Sequence, residues 1–472
     1  MGIYKSSISC ALLGIMGIQY VFPTNKLSDR PNIVFIMADD LGWSDLGCMG
    51  SDYYETPNID RLATEGLVFD NAYAAAANSA PSRACFMTGM YTPRHGVYTV
   101  SPSERGARSK RKLIPIANTD EVHTNFVTLA EALSAEGYQC AHIGKWHLGG
   151  KENQSDPLSQ GFVYNVGGDK AGSPYSYFFP YCLTKRNQCH YGLTDGLTGE
   201  YLTDRLTNEA ISFMKSHKDR PFFLHLAHYA VHTPLQAPDS LVQKYKDKSS
   251  GRYHNNSIYA AMIEKLDDSV GRICQTIKDL DLDEHTLIVF YSDNGGSEPI
   301  TDNYPLRGGK GMPYEGGIRE PLIMKWPVKI KAGTRTSIPV IGIDFYPTFV
   351  KLARGTISPE LDGEDIFSLI KENVDSRDLF WHFPAYLESY DANTGDFRAT
   401  PYSIIRSGQW KLIYYYENKS MELFDLKNDP YESKDLSKSE ITKCKVLRDK
   451  LFTWLATTHA PIPREENPYY KP

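Results

Sequence analysis

Ile33-Val34-Phe35-Ile36-Met37-Ala38-Asp39-Asp40 is an unbroken apolar run that stops abruptly at two acids. Rich in β-branched residues and without polar alternation, it reads as a strand buried on both faces, as in a parallel sheet covered by helices. Asp39 and Asp40 then fall at the C-terminal end of that strand. In open α/β sheets this is the edge where ligands bind.

The same pattern recurs outward from this stretch. Thr56-Pro57 opens a helix with Ile59, Leu62 and Ala63 on one face and Gly66 as its stop. A helix near Thr128 to Glu136 ends at Gly137 and precedes a strand through Cys140 to Ile143. Phe222 to Ala227 forms another strand and leads into His228 and His232. A long helix from about Ser257 to Lys278 leads to the strand Thr286 to Tyr291, which ends at Ser292-Asp293-Asn294-Gly295. Leu322 to Trp326 adds a strand and Asp344 to Leu352 a helix. Such alternation implies an α/β fold, a large mainly parallel or mixed sheet sandwiched by helices. Beyond Glu360 the texture changes. Ser403 to Ile405, Trp410 to Tyr416 and Glu422 to Asp425 read as short antiparallel strands turning at Gly408 and Asn418, with an amphipathic helix from about Glu440 to Leu455. The expected division is a signal peptide over residues 1–24, a catalytic domain over 30–358, and a smaller C-terminal α+β subdomain over 359–472, carrying an antiparallel sheet.

With 472 residues the chain exceeds a single typical core, and 41% apolar and 23% charged residues are ordinary for a folded protein. Its 51 basic against 57 acidic residues give a net charge of −6, which argues against a nucleic-acid partner. Any affinity for an anionic substrate therefore needs a local cluster of cations. Lys5 followed by the mostly apolar Ile8 to Phe22, broken by Gln19, reads as an export signal. That run is short of the ~20 residues that span a bilayer, and no later segment is apolar enough, so the chain is not expected to span a membrane. Cys10 after Ser7-Ile8-Ser9 faintly suggests lipidation, but the apolar core follows that cysteine instead of preceding it. None of the eight cysteines forms a C-x-x-C pair, which argues against zinc. Cys182 and Cys189 could close a small loop in an oxidising compartment, and their spacing leaves the pairing open. The others are expected as buried small hydrophobes.

Five clusters carry chemistry. Ser79-Ala80-Pro81-Ser82-Arg83-Ala84-Cys85-Phe86-Met87-Thr88-Gly89 contains a proline suited to a first helical position. Ser79 would then lie beside a helix N-terminus, which favours an anion. Asp39, Asp40, Asp293 and Asn294 are oxygen donors on two strand ends, a set that suits a hard cation such as Ca²⁺. Without an ion, carboxylates so crowded would repel and take up protons. Gly144-Lys145-Trp146-His147-Leu148-Gly149 and Ala230-Val231-His232-Thr233-Pro234 follow two further strands. His225, inside its strand, is expected to be packed, and His228 to be a bystander. Leu306-Arg307-Gly308-Gly309-Lys310-Gly311 lets backbone approach closely around Lys310 but lacks the G-x-x-x-x-G-K-[ST] spacing of a nucleotide loop. Arg319, in Tyr314-Glu315-Gly316-Gly317-Ile318-Arg319, is expected in a structural ion pair. Arg83, Lys145, His147, His232 and Lys310 together make a cationic nest fit for an anionic transition state.

These blocks, in this order, resemble the type I sulfatases, in which x-Pro-Ser-Arg follows a Cys or Ser that is oxidised to formylglycine. Ser407-Gly408-Gln409-Trp410-Lys411-Leu412-Ile413 and Glu422-Leu423-Phe424-Asp425 are similar to sulfatase C-terminal regions. The resemblance implies an alkaline-phosphatase-like fold and a sulfuric ester hydrolase. Ser79 would become 3-oxoalanine (formylglycine), and one Ca²⁺ would be held by Asp39, Asp40, Asp293, Asn294 and the modified Ser79. It further implies catalytic roles for Ser79, Arg83, Lys145, His147, His232 and Lys310. His232, helped by Lys310, would protonate the leaving oxygen, and His147 would act as base in releasing sulfate. Serine in place of the commoner cysteine implies a bacterial protein, matured by a radical-type formylglycine-generating enzyme and exported to the periplasm or cell surface.

The expected partner is a sulfated saccharide, with exo action on a sulfated galactose-type sugar favoured. Tyr175, Tyr177 and Phe178 are candidates to stack on a sugar ring. Arg94, His95, Asp169, Lys170, His190 and His382, read as loop residues near the strand ends, are candidates to bind it. Two alternatives stand beside this reading. One is a phosphoester hydrolase of the same superfamily, which would normally hold two zinc ions. The other is a non-catalytic sugar-binding protein whose Ser79 is never oxidised.

Overall fold

A computed structural model describes residues 30–183 and 188–471; the expected export signal and Cys10 lie outside them. The central strand is Asn32–Ala38, with every residue buried. It pairs in parallel with Phe222–Ala227 on one side and Thr286–Ser292 on the other. Gln139–Gly144 and then Tyr164–Val166 extend the parallel part. Beyond Thr286–Ser292, Leu322–Lys325 runs antiparallel and pairs with Leu67–Phe69, whose other neighbour is Thr334–Thr336. The result is the expected α/β architecture, one mixed eight-stranded sheet.

A hydrophobic core lies on each face of this sheet. One gathers Val34, Ile36, Leu224 and Leu226 with Leu206, Phe213, Leu266 and Ile273 from the helices Leu202–His217 and Ser257–Asp279. The other joins Ile33, Phe35 and Phe223 to Phe86, Leu133, Phe345 and Phe349. Alternate residues of one strand thus enter opposite cores, which is why the opening run shows no polar alternation. Leu202–His217 and Asp239–Asp247 are helices not anticipated from sequence.

Four antiparallel strands, Asp378–Phe383, Tyr402–Ser407, Trp410–Tyr415 and Met421–Asp425, form the second sheet. The helix Ile441–Thr457 packs Leu447, Leu451 and Leu455 against Ile405, Leu412 and Leu423 of that sheet. The first of these strands corrects the loop reading of His382, which is 3% exposed within it. Trp381 Nε1 donates to Ala74 O at 2.7 Å, tying this sheet to the segment before Ser79. Lys411 joins them more deeply. Fully buried, it lies 3.0 Å from Glu315 and 2.8 Å from Glu432.

Cys182 and Cys189 are disulfide-bonded across the small Cys182–Leu183/Gln188–Cys189 hairpin. Cys85, Cys140, Cys274 and Cys444 are buried, and Cys48 is half-buried. Among the described residues no helix is long and apolar enough to cross a membrane.

Candidate active site

Register alone brings the two acidic strand ends together. Ala38 pairs with Ser292, so the next residues, Asp39 and Asp293, leave adjacent parallel strands side by side. Asp293 N donates to Ala38 O at 3.2 Å, and Asp40, at φ 61°, turns so that its N–H reaches Asp293 Oδ1 at 3.3 Å. Asn294 Nδ2 donates to Asp40 Oδ1 at 2.8 Å, which leaves its Oδ1 facing Ser79.

The signature segment forms the helix Ser79–Thr88, with Asn78 as N-cap and Gly89, at φ 67°, as its left-handed stop. Pro81 is therefore the third helical residue, two positions later than expected, where its missing N–H still costs nothing. Ser79 Oγ lies 3.2 Å from Asp39 Oδ1 and 3.0 Å from Asn294 Oδ1. One turn on, Arg83 donates from Nε to Asp293 Oδ2 and from Nη1 to Lys145 O, both at 2.8 Å. Its Nη2, 2.8 Å from Asp293 Oδ2, makes no well-aligned hydrogen bond.

Lys145 follows the strand Gln139–Gly144 and donates to both oxygens of Asp39 at 2.9 and 2.7 Å. Lys310 Nζ donates to Asp40 Oδ2 at 2.7 Å. His232 Nε2 points at the same oxygen from 3.5 Å, while its Nδ1 is held by Thr233 O at 2.7 Å. Asp39, Asp293 and Lys145 are fully buried, whereas the His232 and Lys310 side chains are 15% and 14% exposed. The latter two line the mouth.

Burial sets the titration of these groups. It pushes the Asp39 carboxyl up to about 7 against the opposing pull of Lys145, and the neighbouring Asp293 and Asp40 charges add to the rise. Burial also raises Asp40, but Lys310 and His232 outweigh it and hold the carboxylate well below its usual range. Burial, reinforced by Lys310, lowers His232 to about 4. His147 is driven well below its ordinary value by burial and then by Lys145, Arg83 and Lys310, so its imidazole is neutral. Its buried Nδ1 has no partner.

Donor chemistry tests which ion this cluster suits. Asp39 Oδ1 and Asn294 Oδ1 both lie within hydrogen-bond reach of Ser79 Oγ, and Asp39, Asp40 and His232 offer atoms within 4.8 Å of one another. With Asp293 beside them, three carboxylates and a carboxamide gather at the two strand ends, and Asp39 and Asn294 reach Ser79. This oxygen-rich set fits a hard divalent cation.

The substrate candidates separate. The loop after Tyr164–Val166 covers His147: His147 N donates to Asp169 O at 3.0 Å, and Gly172 packs flat against the imidazole. Lys170 pairs with Glu152 on the rim of a cavity of about 370 Å³ that also borders Ala80 and His147. His190 is buried behind this loop, with Nδ1 3.0 Å from Asp169 Oδ2 and its ring stacked on Tyr175 at 4.3 Å. It therefore supports the loop and does not stand exposed at the strand ends. Arg94 is forked on Asp362 at 2.7 to 2.9 Å and lines a different cavity. His95 is buried 3.4 Å from Cys85 Sγ, and burial lowers it to about 3. His382 hydrogen-bonds Ser403 Oγ at 2.7 Å and Pro461 O at 3.0 Å inside the second sheet. Arg94, His95 and His382 are thus corrections: each has a partner elsewhere in the fold.

Tyr177 is fully buried and donates to Tyr229 O and His232 O at 2.6 and 2.8 Å, which secures the His232 segment and corrects its reading as a sugar platform. Phe178 packs on Tyr201. His225 is buried against His142, and His228 against Ser269. Arg319 makes the expected structural pair, 3.8 Å from Glu315. Tyr390 and Arg398, which reach the Lys310 loop from the second sheet's side, were not anticipated.

Known proteins resemble this chain over most of its length. The family described as Sulfatase matches residues 31–356, and the one described as N-sulphoglucosamine sulphohydrolase, C-terminal, matches residues 309–457. A protein named Sulfatase from Formosa agariphila is 34% identical over 92% of this chain and 90% of its own. The N-acetylgalactosamine-6-sulfatase of Canis lupus familiaris is 34% identical over 75% of this chain and 68% of its own. Among solved structures, Ps i-CgsB in complex with k-i-k-neocarrahexaose superposes with a TM-score of 0.76 at 31% identity, covering 92% of this chain and 94% of that one. The fold is the alkaline-phosphatase-like one that such sulfatases share.

Proposed function

The chain belongs to the sulfatase family and is a sulfuric ester hydrolase; from that premise we propose that it removes sulfate from a saccharide, using formylglycine made from Ser79 and one Ca²⁺. The observation that carries this reading is the placement of Ser79 Oγ between Asp39 Oδ1 and Asn294 Oδ1, with Arg83, Lys145 and Lys310 around it. An unmodified serine without an adjacent base is a weak nucleophile. As the hydrate of its aldehyde, residue 79 would supply one hydroxyl to attack sulfur and a second whose deprotonation expels sulfate. Asp39, Asp40, Asp293, Asn294 and the modified residue would hold the cation, which lowers a ligand hydroxyl's pKa and screens charge.

The chain's own side chains do the rest. Arg83 and Lys145 orient Asp293 and Asp39 and add fixed positive charge around an anionic transition state. Lys310 and His232, at the mouth beside Asp40, face the incoming ester. His232 holds its Nδ1 proton on Thr233 O, which aims Nε2 at the site, where once protonated it delivers a proton to the departing sugar oxygen. Neutral His147 takes the proton of the second hydroxyl.

The sugar reading rests on carbohydrate-processing relatives: one acts, by its name, on an N-acetylgalactosamine 6-sulfate, and a solved one holds a neocarrahexaose. Exo action on a sulfated galactose-type sugar is the favoured form, with Asp169 and Lys170 beside His147 as its contacts. Serine at position 79 and the apolar start of the chain support a bacterial, exported protein matured by a radical-type formylglycine-generating enzyme. Residues 30–358 then serve as catalytic domain and 359–472 as the subdomain that closes one side of the mouth.

The test is direct. Peptide mass across residue 79 of native-host protein should be two hydrogens below that of serine. Ser79→Ala should abolish sulfate release from a panel of defined sulfated saccharides while leaving the melting temperature nearly unchanged. Plain serine with full activity, or activity surviving Ser79→Ala, defeats the proposal.

A further inference from the structure

The hairpin of the C-terminal region that contains Phe397–Ala399 brings a cation to the mouth that none of the steps above uses. Tyr390 donates from its hydroxyl to Lys310 O at 2.8 Å, fixing the backbone of the residue whose ammonium grips Asp40. Arg398 lies over the Tyr390 ring, its Cζ 4.2 Å from the centroid. Its Nε is buried, and among the described residues it has no hydrogen-bond partner and no carboxylate forms an ion pair with the side chain. A buried donor of this kind is unfavourable unless something supplies an acceptor.

Gly311 locates the group. A side-chain carbon there would sit 3.2 Å from Arg398 Nε and 3.3 Å from Asn78 Oδ1, with Leu387 closing the third side. Asn78 immediately precedes Ser79, and Gly311 immediately follows Lys310. Arg398 therefore lies where the signature helix and the Lys310 loop meet, on the side formed by the two-stranded hairpin Leu387–Glu388/Phe397–Ala399. Glu298 sits on the same loop, packed on Gly309, and Arg398 only partly offsets the burial and the Asp302 charge that raise it. Lys310 is already committed to Asp40, whereas Arg398, beside Tyr390 and Glu298, forms no ion pair among the described residues.

Resting on the sulfatase reading of the site, we propose that Arg398 is a specificity-determining residue that binds a second anionic substituent, a sulfate or a carboxylate, on the saccharide whose ester is cleaved. A guanidinium matches either oxyanion through its planar fork and stays charged at any working pH. Tyr390 holds that fork from behind by stacking, so little side-chain freedom is lost on binding.

Three substrates decide the matter: a mono-sulfated sugar, the same sugar with a second sulfate, and the same sugar joined to a uronic acid. For Arg398→Ala, kcat/KM on the substrates with a second anion should fall about 10- to 100-fold further than on the mono-sulfated sugar, mainly through KM. Arg398→Lys should recover part of that difference, because charge returns without the fork. Loss confined to the doubly sulfated or to the uronate-bearing substrate identifies which anion is read. Binding of the same sugars to Ser79→Ala and to the Ser79→Ala, Arg398→Ala pair, followed by calorimetry, should show the same differential without turnover. Equal losses on all three substrates, or no loss, overturn the role of Arg398. Turnover of the mono-sulfated sugar by the unsubstituted protein tests the underlying sulfatase reading separately.

Discussion

Gly144 shows how little room the converging strand ends leave at a single position. Its φ of 106° is one that side chains avoid, and a Cβ there would fall 1.9 Å from Ala227 O, the same carbonyl that receives the N–H of Lys145. Gly144→Ala should destabilise the protein by more than about 2 kcal/mol, since a strained non-glycine backbone alone costs ~1–3 kcal/mol before the clash is counted. It should also displace Lys145 from Asp39, so sulfate release falls together with the urea midpoint. Arg83 makes the complementary point. Its fork on Asp293 and Lys145 O shows that one helical residue can brace two strand ends at once.

At the scale of elements, the helix Leu129–Ala135 is closed by Thr128, whose hydroxyl accepts from Glu131 N at 3.2 Å while the Glu131 carboxylate accepts from Thr128 N at 2.7 Å. Thr128→Ala should cost about 1–2 kcal/mol in denaturant unfolding with catalysis intact, because the cap's partners, Glu131 and Gln160, are none of the residues placed in the site. Elements announced by uniform apolar runs were legible: Asn32–Ala38, Phe222–Ala227 and Thr286–Ser292 fall where their sequences put them. Leu202–His217 was not, although Leu202, Leu206, Ala210, Phe213 and Met214 carry a helical period. Threonine, asparagine and serine between them are poor helix formers and blur that period. Asp378–Phe383 was missed because aromatic residues on both of its faces meet other layers, which leaves no alternation to read. The strand-end clusters could be read because their neighbours in sequence fix them. Arg398 could not, since only tertiary packing sets it beside Asn78 and Gly311.

The four-stranded sheet is joined to the helical segment Glu315–Ile318 by a buried charge cluster in which Lys411 meets two carboxylates. Lys411 lies between Glu315 and Glu432; Tyr73 OH donates to Glu315 at 2.9 Å, and Glu315 N donates to Glu432 at 2.7 Å. Burial, with the Glu315 charge, lifts Glu432 from 4.5 to about 7 against Lys411's pull. A carboxyl whose folded pKa is raised contributes most stability below its unfolded value, and that contribution is lost as pH climbs through the folded one. Stability should therefore decline between pH 4.5 and about 7 by this route, and Glu432→Gln should flatten that part of a melting-temperature profile. Lys411→Met should cost about 3–5 kcal/mol, because it strands buried carboxylates. Loosening of the Glu315 segment should then carry into the neighbouring Lys310 loop and lower turnover as well.

Ser79 is 1% exposed, and its closest polar companion beyond the signature helix, Asn294, lies 215 residues downstream. Once Thr286–Ser292 has docked beside Asn32–Ala38, no second protein can reach that hydroxyl. Any enzyme that alters it must meet a nascent or still-extended polypeptide, so the order of synthesis, alteration and collapse is written into the topology.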